Sequence, residues 1–269
     1  MQSVNPLRPA NAAEALATGT GDLILLRRAR LITLEATTNV IDSNNAFLSD
    51  SEEQRDAAAS LDLSATAQLR LGPRTAASVR LAAFQTRYEE FSGLDYAAAT
   101  ATVAVQTRRL ALDWTAYYQH AELFEDPFSD RQLTQDRYHL RVGRALELGD
   151  WTIGGSVYAE RIDADPEEYN NSAVGVEASV SRPVPRLPRL TAFAQAAYER
   201  RKYDSFFEGL VGSPRRDDNV STTVGIAWSV SSNVQVIGGY SARTNRSSSD
   251  VNRYDAGSAF IGISARHRL

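Results

Sequence analysis

The chain alternates small apolar and polar residues at period two almost from end to end, and no stretch of it carries a helical period. The clearest stretch is Leu61 to Leu71. Leu61, Leu63, Ala65, Ala67, Leu69 and Leu71 share one face, and Asp62, Ser64, Thr66, Gln68 and Arg70 share the other. Successive side chains of a β-strand point to opposite faces, so each such stretch predicts a strand with one apolar and one polar side.

Eleven more stretches follow this rule. The first, around Leu31 to Val40, sets Ile32, Leu34, Ala36 and Val40 against Thr33, Glu35, Thr37 and Asn39. The others centre on Ala77–Ala83, Ala97–Gln106, Leu110–Gln119, Tyr138–Val142, Trp151–Ala159, Val174–Ser181, Leu190–Tyr198, Val220–Val230, Val234–Tyr240 and Ala259–Ala265. Short connections such as Gly72-Pro73-Arg74, Arg108-Arg109, Glu147–Asp150, the Pro-rich Arg182–Arg189 and Ser231–Asn233 alternate with long ones. Without helices long enough for βαβ units, parallel-sheet folds are excluded and antiparallel closure is left.

No apolar run approaches the roughly 20 residues of a membrane-spanning helix, but a barrel strand crosses hydrocarbon in about 9 to 11 residues and shows only every second one to lipid. An even strand count with short turns at one end and long loops at the other predicts an all-β, antiparallel up-and-down transmembrane β-barrel of about 12 strands with both termini periplasmic. Trp114, Trp151 and Trp228, with Tyr118, Tyr138, Tyr198 and Tyr240, fall near strand ends on the apolar face, where an aromatic girdle belongs. A soluble β-sandwich is the competing fold, but alanine-rich apolar faces build a thin core and tolerate lipid better.

Composition narrows function. The 269 residues carry a formal charge of -4 and a pI near 5.5, which gives no basic footprint for nucleic acid, and cysteine is absent. The N-terminus lacks the basic start and apolar core of a secretory signal, so a removed signal is expected. Residues 1–30 read as a periplasmic tail or plug segment containing the apolar run Leu23 to Leu26, and 31–269 as the barrel.

On the polar, lumenal face lie Glu35, Asp62, Asp113, Glu160, Glu177 and Glu199 with Arg70, Arg80, Arg141, Arg243 and Arg266. These charges predict either a pore whose facing acidic and basic walls select solutes, with Arg70, Arg80, Asp113, Arg141 and Glu177 as the charge filter, or a ladder of ion pairs joining opposite walls. Eight strands are filled by side chains and 16 to 18 leave a channel, so about twelve predicts a narrow pore. Three loop regions are acidic: Asp42 with Asp50, Glu52, Glu53 and Asp56; Glu122 with Glu125, Asp126 and Asp130; and Asp163 with Asp165, Glu167 and Glu168. They are solvated loop charge or carboxylates bridged by divalent cations to lipopolysaccharide. The longest loop, Arg200 to Asp218, carries Phe206, Phe207 and Leu210 and could fold into the mouth. His120 is followed by Glu122 rather than by a serine two residues on, and no nucleophile, base and orienting group converge; no enzyme, metal site or cofactor is expected.

From these residues the chain resembles a Gram-negative outer-membrane β-barrel over about Leu31 to Leu269, porin-like in the pattern of its strands. The resemblance implies an outer-membrane location among lipid and lipopolysaccharide, and passive passage of small hydrophilic solutes or saccharides. The alternative it carries is a closed structural barrel that anchors a surface or periplasmic protein partner. The family's assembly signal ends in an aromatic residue, whereas this chain ends Ile261-Gly262-Ile263-Ser264-Ala265-Arg266-His267-Arg268-Leu269. The opening Thr37-Thr38-Asn39-Val40, followed by Asp42-Ser43-Asn44-Asn45, is similar to the start of porin-like barrels encoded with exopolysaccharide systems.

Overall fold

The computed structural model describes residues 32–48, 54–125, 128–204 and 214–269. The segment 1–30, Leu31, the loop carboxylates Asp50, Glu52, Glu53 and Asp126, and Phe206, Phe207 and Leu210 lie outside the described residues. Twelve strands run in chain order: β1 Ile32–Ser43, β2 Asp56–Gly72, β3 Thr75–Tyr88, β4 Tyr96–Arg109, β5 Leu112–Phe124, β6 Arg131–Leu148, β7 Trp151–Asp165, β8 Asn171–Val184, β9 Leu187–Tyr203, β10 Arg216–Ser229, β11 Val234–Ser247 and β12 Tyr254–Arg268. Each pairs antiparallel with its sequence neighbours, and β1 closes on β12 from Thr33↔Arg268 to Ser43↔Ser258. Every strand therefore has a partner on both sides and the wall has no open edge, which a hydrocarbon environment requires.

Short turns gather at the end where β1 begins and β12 ends, and longer connections at the other. Two short connections are tighter than the sequence suggests. The β4–β5 turn is Leu110-Ala111, both at positive φ, with Arg109 facing Leu112, so Arg108 and Arg109 belong to β4 and Leu110 to the turn. The Pro-rich connection contracts to Pro185-Arg186 between Val184 and Leu187.

The largest difference lies at the long-loop end, where several strands overrun the predicted alternation. Arg200 to Tyr203 continue β9 and Arg216 to Asp218 open β10, which shortens the supposed longest loop. Asp56, Glu122, Asp163 and Asp165 are strand residues too. With 12 to 18 residues each, the strands exceed the length that crosses hydrocarbon. In the overrun the amphipathic pattern inverts. Along the lower part of β7, Trp151, Ile153 and Val157 face outward and Ser156, Tyr158 and Glu160 inward; above, Arg161, Asp163 and Asp165 face outward and Ile162 and Ala164 inward. The upper ends of β5, β9 and β12 repeat this, with Leu123, Tyr203 and Tyr254 buried inside beside outward Glu122, Lys202 and Asp255.

The outer surface reads as a lipid belt. Val40, Leu63, Leu81, Val103, Leu140, Val176, Val224 and Ile261 are all exposed large apolar side chains on outward positions. Trp151 and Trp228 sit outward at the short-turn end and Tyr118, Tyr138, Tyr198 and Tyr240 toward the other. Tyr198 pairs across to Val220, and Trp228 lies eight residues further along β10, about 26 Å along the strand at a rise near 3.3 Å per residue. At a strand tilt of about 35 to 45° that length projects to about 20 Å of height, within an apolar band of about 25 Å.

Candidate functional site

The lumen is lined by residues of the opposite parity, and all five candidate filter residues point into it. The pairs they make join strands one or two apart. Arg80 reaches Asp62 at 3.2 Å, Asp113 holds Arg108 at 2.6 Å, and Arg141 meets Glu177 at 2.6 Å. Ser156 of the intervening β7 takes a hydrogen bond from Arg141 Nε at 2.9 Å and donates to Glu177 at 2.9 Å. Arg70 donates instead to the Gly72 carbonyl beside the β2–β3 turn. Glu35 and Arg266 form a further pair at 3.3 Å across the β1–β12 closure, with Ser264 donating to the same carboxylate. Side chains on a sheet reach their cross-strand and diagonal neighbours first, and twelve strands hold opposite walls too far apart for that.

Higher in the barrel a second group is withdrawn from water. Glu160 accepts from His139 at 3.3 Å and from Arg201 at 3.3 Å, and lies 3.7 Å from Arg137. Arg201 also grips Glu199 through two nitrogens at 3.0 and 3.1 Å, and donates to Asn171. Tyr158 donates to Glu199 at 2.9 Å. The His139 ring lies stacked between Tyr117, 4.6 Å away, and Tyr158, 5.2 Å away. The two guanidiniums of Arg137 and Arg201 offset the two carboxylates of Glu160 and Glu199 within the cluster. Arg137, Arg201, Tyr117 and Tyr158 were missed as members. Extending the parity of Tyr198 three residues further would have turned Arg201 inward.

Accessibility separates the two groups. The Arg141 and Glu177 side chains retain 25% and 28% of their surface, whereas Glu160 retains 7%. Beyond Glu160 apolar side chains pack on the inner face. Leu123 and Leu133 pack with Ala98, Phe84, Tyr96, Ala164 and Tyr169, which spans β3 to β7. Arg215 stacks on Tyr203 and pairs with buried Asp217 at 2.6 Å. On the other wall an apolar cluster of Ile41, Phe193, Ile237 and Phe260 packs together. There Phe193 lies over Gly225 and Phe260 over Gly239, their direct partners on the next strand, an arrangement in which a ring replaces the missing side chain.

The acidic residues have individual partners. Asp56 is buried and its carboxylate accepts the backbone N–H groups of Glu90 and Phe91, tying the β3–β4 connection to β2. Asp42 pairs with Arg55, and Asp163 with Arg161. His120 faces outward and meets Asp136 at 2.9 Å, and the Tyr118 hydroxyl donates to the same carboxylate at 2.7 Å. The motif recurs on β9 and β10, where Arg200 and Tyr198 hold Asp218 at 2.8 and 2.6 Å. Arginine stands there where the histidine does, and each site holds an aspartate with a tyrosine hydroxyl at the upper edge of the belt.

No protein-family model matches the chain, and no curated protein matches it in sequence. Solved structures do match its fold. The outer membrane channel from Pseudomonas putida F1 superposes with a TM-score of 0.61 at 8% identity, over 92% of this chain and 99% of that one. The beta domain of the Bordetella autotransporter Brka superposes with a TM-score of 0.51 at 11% identity, over 89% and 100%. The chain has the fold of the Gram-negative outer-membrane β-barrels, a closed barrel of twelve antiparallel strands with a lipid-facing apolar belt.

Proposed function

We propose that the barrel is an outer-membrane channel for passive passage of small hydrophilic solutes or saccharides, with its short turns in the periplasm and its long-loop end outside. The observation that carries this reading is the water-accessible, charge-lined lower lumen: Asp62, Arg80, Arg141 and Glu177 face inward yet keep a quarter or more of their side-chain surface. Paired charges that remain wetted leave a polar path while fixing its electrostatic profile. Arg80 and Arg141 are assigned as the cations of the filter and Glu177 as its anion, with Asp113 and Arg70 nearer the short-turn mouth. No catalytic role is assigned, since the outward His120–Asp136 pair repeats a motif built elsewhere with arginine.

The packed long-loop end favours a second reading, a closed barrel that presents its rim or its N-terminal segment to a partner. Single-channel conductance in a planar bilayer separates the two, after heat-dependent gel mobility has verified a closed barrel. Stable steps whose selectivity moves toward cations in Arg80→Glu and Arg141→Glu support the channel. A folded barrel that passes no current overturns it in favour of the closed one.

A further inference from the structure

Above the belt the outward charge is distributed unevenly around the rim. On β5 to β7 it is mostly acidic, with Glu122, Asp136, Asp163 and Asp165 outnumbering Arg131 and Arg161. On β9 to β11 it is basic, with Arg200, Lys202, Arg216 and Arg246 against Asp218. Within this arc, Lys202 and Arg216 are direct register partners, and both are exposed. Like charges directly opposite on an antiparallel pair repel.

Their neighbours do not relieve that repulsion. Arg200 is held by Asp218 at 2.8 Å and Arg246 by Asp255 at 3.3 Å, but neither Lys202 nor Arg216 forms an ion pair with a described residue. On the other flank of Arg216 the next group is the Ser248 hydroxyl, which accepts the Arg216 backbone N–H at 2.9 Å. Arg216, Arg246, Arg253, Ser247, Ser248 and Asp218 line a concavity of about 550 Å³. Immediately beneath it, Tyr198 and Val220 mark the top of the apolar belt.

We infer that the Lys202–Arg216 pair, of which Arg216 also lines this concavity, seats a phosphate of an outer-leaflet glycolipid headgroup; the inference rests on the orientation proposed above. An anion between Lys202 and Arg216 turns their repulsion into two charge-assisted hydrogen bonds, and the guanidinium fork matches phosphate oxygens. Its height selects the carrier. A phosphate held directly above Tyr198 and Val220 leaves attached acyl chains lying along the outward apolar residues of β9 and β10, which a soluble phosphate ester would not use. Several cations in one arc suit a headgroup with more than one phosphate.

The test uses the folded protein in detergent micelles with bisphosphorylated lipid A, its dephosphorylated form or phosphatidylglycerol, and reads retained lipid by native mass spectrometry. Bisphosphorylated lipid A is expected to be retained about tenfold over the dephosphorylated form, a preference equivalent to one strong charged contact. The Lys202→Gln/Arg216→Gln variant loses that preference, and in lipid-free micelles it melts no lower than the parent because the repulsion is gone. The lumenal variant Arg70→Gln keeps it. Equal retention of all three lipids, or displacement of lipid A by millimolar inorganic phosphate, overturns the proposal. Labelling of a long-loop cysteine on intact cells tests the orientation separately, and conductance plays no part in the readout.

Discussion

At the scale of single residues, burial decides which lumenal charge holds the wall together and which tunes the lumen. Glu160 is nearly sealed beneath Arg137, His139 and Arg201. Removing its charge leaves two guanidiniums facing one carboxylate in a poorly hydrated place, and breaking a buried pair in this way costs about 3 kcal/mol or more. Glu160→Gln is therefore expected to unfold at markedly lower urea in lipid vesicles. Glu177→Gln loses a partner for Arg141 where water still reaches both, and its cost is expected to stay below about 1 kcal/mol. Its effect falls instead on ion selectivity, toward anions. Equal destabilisation by the two variants would contradict the division of the lumen. The alternation in the sequence placed both glutamates inside, because parity is a local property of the strand. It could not rank them, since their burial depends on side chains from strands more than twenty residues away.

Among the elements, the strand cores were legible and their outer ends were not. Period-two alternation with an apolar outer face locates all twelve strands, but that face is apolar only where lipid bathes it. Past Tyr198 or Ala159 the outside meets water and the inside packs, so Lys202, Arg161 and Asp163 turn outward while Tyr203 and Ile162 turn in. A search for apolar outward faces stops at that inversion, which is why Arg200 to Asp218 read as one loop and Arg201 was left out of the site. The short turns were located but not dimensioned. At Leu110-Ala111 the chain places two residues with β-carbons in the left-handed region, where asparagine and glycine are at ease. Leu110→Asn/Ala111→Gly is expected to stabilise the β4–β5 hairpin by about 1 kcal/mol, visible as slower unfolding in urea. Gly239 gives the opposite case. A β-carbon there would run into the Val224 carbonyl oxygen and stand 2.9 Å from the Phe260 ring, so Gly239→Ala forces β10 and β11 apart and is expected to cost about 1 to 3 kcal/mol.

For the whole molecule, the consequence of the inversion is a barrel with two interiors. Below, the wall surrounds wetted charge and is stabilised by lipid outside; above, it surrounds packed side chains and is surrounded by water. If solutes pass, their resistance belongs to the upper part, around Leu123 and Leu133, which face each other across β5 and β6. Leu123→Ala/Leu133→Ala removes side-chain volume from that cluster and leaves every lumenal ion pair intact. Each truncation costs about 2 to 5 kcal/mol alone, and because the two are in contact their effects do not add. The double variant is expected to remain a closed barrel by gel mobility, since closure runs through the β1–β12 ladder and not through this cluster. Its conductance should rise by severalfold while its ion selectivity stays with Arg80, Arg141 and Glu177. Arg141→Glu should do the reverse, with a shift toward cations that shrinks as salt rises, because exposed charges are screened within about 10 Å at 0.1 M. A rise in conductance confined to the first variant and a change in selectivity confined to the second would assign resistance and charge selection to different levels of one lumen. A double variant that folds and conducts no better than the parent would move the resistance to the buried group around Glu160, where Arg201 and Tyr158 become the next residues to shorten.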